Sequence, residues 1–136
     1  MRREHRVFLA PQAVEILEGL RKITGHRKLL FPSFHGTDKP ISENTLNTAL
    51  RRMGYGQDEM TSHGFRASAS TLLNESGKWH PDAIERQLAH VESNDVRRAY
   101  SRGSFWEERV RMMPWWADYL DLLRTGARLK PFRKAS

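Results

Sequence analysis

Glycines at positions 25, 54, 77 and 103 each follow a stretch with helical character, and this punctuation restricts the chain to a series of short helices. In the first, Val14, Leu17 and Leu20, with Ile16 and Ile23 beside them, form an apolar stripe. Pro11 sits where a first helical turn accepts proline, and Gly25 is placed to end the helix. Ser42 reads as the N-cap of a second helix whose inner face is Thr45, Leu46, Ala49, Leu50 and Met53, closed by Gly54-Tyr55-Gly56. Thr61 or Ser62 can cap a third helix running to about Ser76, with Phe65, Ala69, Leu72 and Leu73 on its apolar side and Gly77 at its end. Pro81 and Asp82 open a fourth, in which Ile84 and Leu88 stand four apart. A short helix is expected around Asn94 to Tyr100, and a long amphipathic one from about Ser104 to Leu123. Between the first two helices, Leu29 to Ser33 is apolar and then breaks, and Phe34 to Pro40 reads as a loop. His5-Arg6-Val7-Phe8-Leu9 has the composition of a strand with no preceding partner. Because a lone strand is not stable, an earlier one is expected upstream. The expected fold class is mainly α (α+β), helical with a remnant β-strand at the N-terminus.

At 136 residues and 38% hydrophobic, the chain suits one domain with a single modest core. Lys and Arg number 23 against 16 Asp and Glu, a formal charge of +7 that favours a polyanionic partner, nucleic acid first; the plainer reading is a solvated basic surface. Cysteine is absent, which excludes disulfides and thiolate metal sites and points to an intracellular, cytoplasmic location. No apolar run approaches the roughly 20 residues of a membrane helix. Met1-Arg2-Arg3 is basic but is followed by no long apolar stretch, so it is not a signal peptide. Neither an internal repeat nor a low-complexity segment is present.

Three groups of residues could carry chemistry. His63-Gly64-Phe65-Arg66 puts an imidazole and a guanidinium on one side of a helix start, where the helix itself favours anions, so the set is a candidate phosphate clamp. The plainer alternative is a helix cap beside a surface arginine. His90, after Leu88-Ala89, is either a proton donor or phosphate ligand at a helix end, or a core or dipole-paired histidine. Tyr100 lies among Arg97, Arg98 and Arg102, whose charge favours phenolate and hence a covalent nucleophile; the alternative is an aromatic anchor on a basic helix.

Read in order, His63-x-x-Arg66, Leu88-Ala89-His90 and Tyr100 ten residues later resemble the signature of the tyrosine recombinases, the phage-integrase family. The stretches from His63 to Glu75 and from Pro81 to His90 are similar to prophage and genomic-island integrases, as are Arg6-Val7-Phe8-Leu9 and Leu30-Phe31-Pro32-Ser33. The resemblance covers roughly residues 4 to 124. It implies that residues 1–125 are the C-terminal portion of an integrase catalytic domain and that 126–136, with Arg128, Lys130, Arg133 and Lys134, are a basic mobile tail. It also implies a mechanism. Tyr100 attacks a scissile phosphate of double-stranded DNA, forms a 3′-phosphotyrosyl link and releases a 5′-hydroxyl. Arg66 and His63 hold the non-bridging oxygens, His90 is a further phosphate ligand, and Arg97, Arg98 and Arg102 bind DNA. No metal and no cofactor is required, since phosphoryl transfer asks mainly for positioning and charge neutralisation. The full-length protein is expected to assemble as a homo-tetramer on DNA.

The family also uses a first arginine, in a Thr-Gly-x-Arg-type block before a strand hairpin, and usually a lysine within that hairpin. Thr24-Gly25-His26-Arg27 falls after the expected strand rather than before it, and no lysine precedes Lys22. The chain is therefore expected to be a fragment that lacks both residues and is inactive in isolation. Trp106, Trp115, Trp116 and Tyr119 read as packing residues of the last helix, or else as a stripe that docks on a neighbouring protomer. Two other functions compete. One is a DNA-binding module without catalysis, which would be indifferent to Tyr100→Phe. The other is a type IB topoisomerase, which shares the nucleophile and its arginines. A metal nuclease is disfavoured because no carboxylate–histidine set has ligand spacing.

Overall fold

The computed structural model describes residues 5–34, 36–89 and 105–126. Five helices and one small sheet are found there: α1 (Pro11–Thr24), β1 (Pro32–Ser33), β2 (Gly36–Pro40), α2 (Asn44–Arg52), α3 (Ser62–Glu75), α4 (Pro81–Gln87) and α5 (Trp106–Arg124). The mainly α class with a small β element is what the helical stripes dictate. The short helix expected around Asn94 to Tyr100 and the tail beyond Gly126 lie outside the described residues.

The helix ends follow the local chemistry. Pro11 opens α1, and the Gly25 N–H closes it on the Arg21 carbonyl at 2.7 Å. Gly77 ends α3 with φ +63°, a left-handed conformation that costs glycine nothing. His80 caps α4, its Nδ1 accepting the Asp82 N–H at 3.2 Å, with Pro81 in the first turn. At α2 the expected cap is displaced. Glu43 holds the N-cap position without a side-chain hydrogen bond, while Ser42 pairs its hydroxyl with that of Thr45 at 2.9 Å. Pro114 lies inside α5 and, lacking an N–H, leaves the Val110 carbonyl without its usual helical donor.

The sheet is not where it was expected. Residues 5–10 form no strand; among the described residues they have no strand to pair with, and the Arg6 carbonyl instead accepts a hydrogen bond from Arg109. The stretch expected as a loop after Phe34 is strand β2, antiparallel to β1. Pro32 faces Pro40 and Ser33 faces Gly36, with a register irregularity between, and the Ile41 N–H donates to the Phe31 carbonyl at 3.2 Å. Proline is tolerated because a two-stranded ribbon has only edges.

The chain divides into two units, Pro11–Ala67 and Met1–Ala10 with Ser68–Ser136, and the boundary falls within α3. In the second, Leu73 from α3, Ile84 from α4 and Met112 from α5 form a buried cluster. Trp79, Leu88, Trp115 and Trp116 pack against it, half-buried. The aromatic rings continue along α5. Trp79 meets Trp115 edge-on at 5.8 Å, Tyr119 stacks on Trp115 and Trp116 at 5.5 and 5.6 Å, and Lys78 lies 5.1 Å over Trp115. Trp115 and Trp116 thus pack against the core of their own chain. In the Pro11–Ala67 unit, by contrast, no residue of α1 is buried. Ile16 and Ile23 are 71% exposed, and Leu50 of α2 is the buried apolar residue found there.

Candidate functional site

His63 and Arg66 lie in the first turns of α3, three residues apart and hence on one face. His63 is exposed; Arg66 is half-buried and already engaged in an interaction. What holds this helix start is a set of polar contacts from α2 and the turn before α3. The Asn47 side-chain oxygen accepts the Ser62 N–H at 2.8 Å, and the Thr61 hydroxyl accepts the Gly64 N–H at 3.0 Å. Thr61, one of the two expected caps, is therefore the residue that caps α3 locally. Arg51 donates one guanidinium N–H to the Tyr55 carbonyl and another to the Met60 carbonyl, fastening the turn that delivers the chain to Thr61. Two first-turn amides are thereby occupied by protein acceptors. The pull of this helix end on an anion rests accordingly more on the His63 and Arg66 side chains than on bare N–H groups.

Gly64 has a steric reason to be glycine. A Cβ there would stand 2.9 Å from the Met60 sulfur and 3.5 Å from the Thr61 hydroxyl. The smallest residue leaves room for the Met60 side chain against the helix start beside His63.

Thr24-Gly25-His26-Arg27 serves as a helix terminus. The Thr24 hydroxyl donates to the carbonyls of Leu20 or Leu30, at 3.2 and 3.0 Å, and the Arg27 N–H closes on the Thr24 carbonyl at 2.8 Å. These contacts give the tetrad a local structural role at the end of α1.

His90, Arg97, Arg98, Tyr100 and Arg102 lie outside the described residues. What the structure does describe is the pair of anchors on either side of them. The α4 helix ends at Gln87, its last turn closed by the Leu88 N–H on Ile84 at 3.0 Å and the Ala89 N–H on Arg86 at 3.2 Å. Ala89 adopts φ +51°, and the chain is described again from Phe105, which caps α5 at φ +44°. Arg109, in the first turn of α5, is only 3% exposed, and its Nε–H donates to the Gln87 side-chain oxygen at 2.7 Å. Burial, and the charge of Arg86 second, pull this guanidinium below its ordinary pKa, though arginine stays cationic at any physiological pH. Sequence reasoning missed Arg109 because a charged residue is ordinarily placed on the surface. The signal was present: Trp106, Arg109, Met112 and Trp116 recur at helical spacing, which sets Arg109 in an apolar row.

Residues 1–105 match the model of the phage integrase family. The chain is 52% identical over 126 residues to an integrase of Enterobacteria phage P4, covering 91% of this chain and 29% of the relative. It is 47% identical over 137 residues to the putative protein IntB of Escherichia coli, covering 99% and 34%, and 45% identical over 127 residues to the prophage integrase IntA of the same species, covering 93% and 30%. The chain thus spans about a third of the length of these curated relatives. No solved structure matches it significantly.

Proposed function

Because the chain belongs to the phage integrase family, we propose that it supplies the nucleophile-bearing end of a site-specific DNA recombinase that integrates or excises a mobile element. The observation that carries this reading is the ordered set His63-x-x-Arg66, Leu88-Ala89-His90 and Tyr100 in a chain 52% identical to an integrase. The Tyr100 oxygen bonds to the scissile phosphorus while the bond from phosphorus to the 5′ oxygen breaks. The phenolic proton is lost, the leaving oxygen gains one and departs as a 5′-hydroxyl, and the 3′ end stays linked to the enzyme. Attack by the 5′-hydroxyl of a partner strand reverses the step and joins new ends. Arg66 and His63 neutralise the non-bridging oxygens, aided by His90, and Arg97, Arg98 and Arg102 hold the backbone of the double helix.

In this reading residues 1–125 are the C-terminal portion of the catalytic domain and 126–136 a basic tail, and the full-length protein acts as a tetramer on DNA. A further arginine and a lysine of the site come from outside this chain. The 136 residues alone are therefore expected to bind DNA weakly and to cleave it little.

The test uses the longer polypeptide that contains this chain, incubated with nicked duplex DNA carrying the ends of its element. A protein–DNA band that survives denaturation and disappears in Tyr100→Phe supports the proposal. DNA binding without such a band would leave a binding-only module as the better reading.

A further inference from the structure

The fifteen residues from 90 to 104, which include Tyr100, follow Ala89 and precede Phe105 in the sequence. Both flanking residues are left-handed, at φ +51° and +44°, and neither is glycine, so each carries a backbone cost that surrounding contacts must offset. Two sets of contacts join the start of α5 to α4, one at each end of α4. In the first, the Arg109 Nε–H donates to Gln87, two residues before Ala89, at 2.7 Å with both side chains buried. The same guanidinium donates to the Arg6 carbonyl and lies 5.6 Å from the Trp106 ring. In the second, the His80 N–H donates to the Glu108 carboxylate at 2.6 Å, and the His80 ring stacks on Phe105 at 5.1 Å and 19°.

A buried guanidinium is an expensive way to fill a core. Desolvating the charge costs free energy that an apolar side chain of similar volume would not incur. What arginine adds is direction, since its planar fork donates at fixed angles to separate acceptors. We propose that Arg109 and Gln87 act as a positioning clamp for the recombination step. By holding α5 to the end of α4 they fix the residues that flank the Tyr100 segment, and so set the frame from which the tyrosine is presented to the phosphate. The clamp touches neither DNA nor the reacting atoms, and the inference rests on the reading of Tyr100 as nucleophile.

The experiment measures both the rate of covalent adduct formation on nicked DNA and the DNA dissociation constant. It compares the longer polypeptide with its variants Arg109→Met, Gln87→Met, the double variant and Gln87→Glu. Each methionine variant is expected to slow adduct formation about tenfold with DNA affinity unchanged, because loosened positioning acts on the chemical step. The double variant should be no slower than either single one, as expected of two residues that share one contact. Gln87→Glu keeps an acceptor for Arg109 and should restore the rate that Gln87→Met loses. Should Arg109→Met fail to fold, the two Gln87 variants decide the matter alone. Adduct formation at the wild-type rate in Gln87→Met, additive losses in the double variant, or a Gln87→Glu protein as slow as Gln87→Met would each overturn the clamp while leaving Tyr100 in place. A wild-type protein that forms no adduct would overturn the nucleophile assignment, and the clamp with it.

Discussion

Gly64 lies beside one candidate phosphate ligand and two residues from the other, where a side chain has little room. Adding a methyl group would press on the Met60 sulfur at 2.9 Å. Gly64→Ala is therefore expected to shift the flexible Met60 side chain rather than the backbone, and to change both adduct formation and the melting temperature only slightly. Gly77→Ala makes the opposite comparison. Nothing lies within 4 Å of its Cβ position, yet φ is +63°. The substitution should cost about 1 kcal/mol in denaturant unfolding through backbone strain alone and leave the chemistry intact. Asn47 is the third informative residue. It accepts the Ser62 N–H from another helix, so Asn47→Ala removes a cap from α3 at a cost of about 1 kcal/mol, measurable in the same titration.

The helices were largely legible in the sequence because their punctuation is local: Pro11, Gly25, Gly77 and Pro81 act through φ and missing donors, whatever the rest of the chain does. The hairpin was not legible, since Pro32, Gly36 and Pro40 are breakers by composition and become strand residues only through pairing with one another. Residues 5–9 failed in the opposite sense, having strand composition but no strand to pair with among the described residues. In the candidate site, His63 and Arg66 could be read from spacing. Asn47 and Arg51 could not, because their partners lie in other elements or turns, and Arg109 showed only as a charge within the apolar row of α5. Where three helices meet, Ile84 and Met112 are fully buried and Leu73 nearly so. Truncating Ile84 or Met112 to alanine should cost about 2–5 kcal/mol, since the aromatic rim around the cluster limits collapse into the cavity. A loss below about 1 kcal/mol in equilibrium unfolding would show that this cluster is not the centre of the unit.

At the scale of the whole molecule, the two units differ in what they bury. The unit built on α4 and α5 has a closed apolar cluster with an aromatic rim, whereas α1 has no buried residue and Ile16 and Ile23 stand in solvent. Local opening free energy follows buried contacts, so the amides of α1 should exchange with deuterium faster than those of α5 in the isolated chain. Equal protection would contradict this account of where the stability resides. The charge of +7 carries a further expectation: DNA affinity should fall steeply with added salt, because binding releases counterions from the phosphates. The central claim remains that Tyr100 forms the bond to DNA. The most direct measurement traps the covalent complex, trims the DNA with nuclease, digests the protein with trypsin and locates the nucleotide by mass spectrometry. The account predicts the added mass on the peptide Ala99-Tyr100-Ser101-Arg102. A nucleotide attached to any other residue, or a trapped complex that persists in Tyr100→Phe, would contradict it.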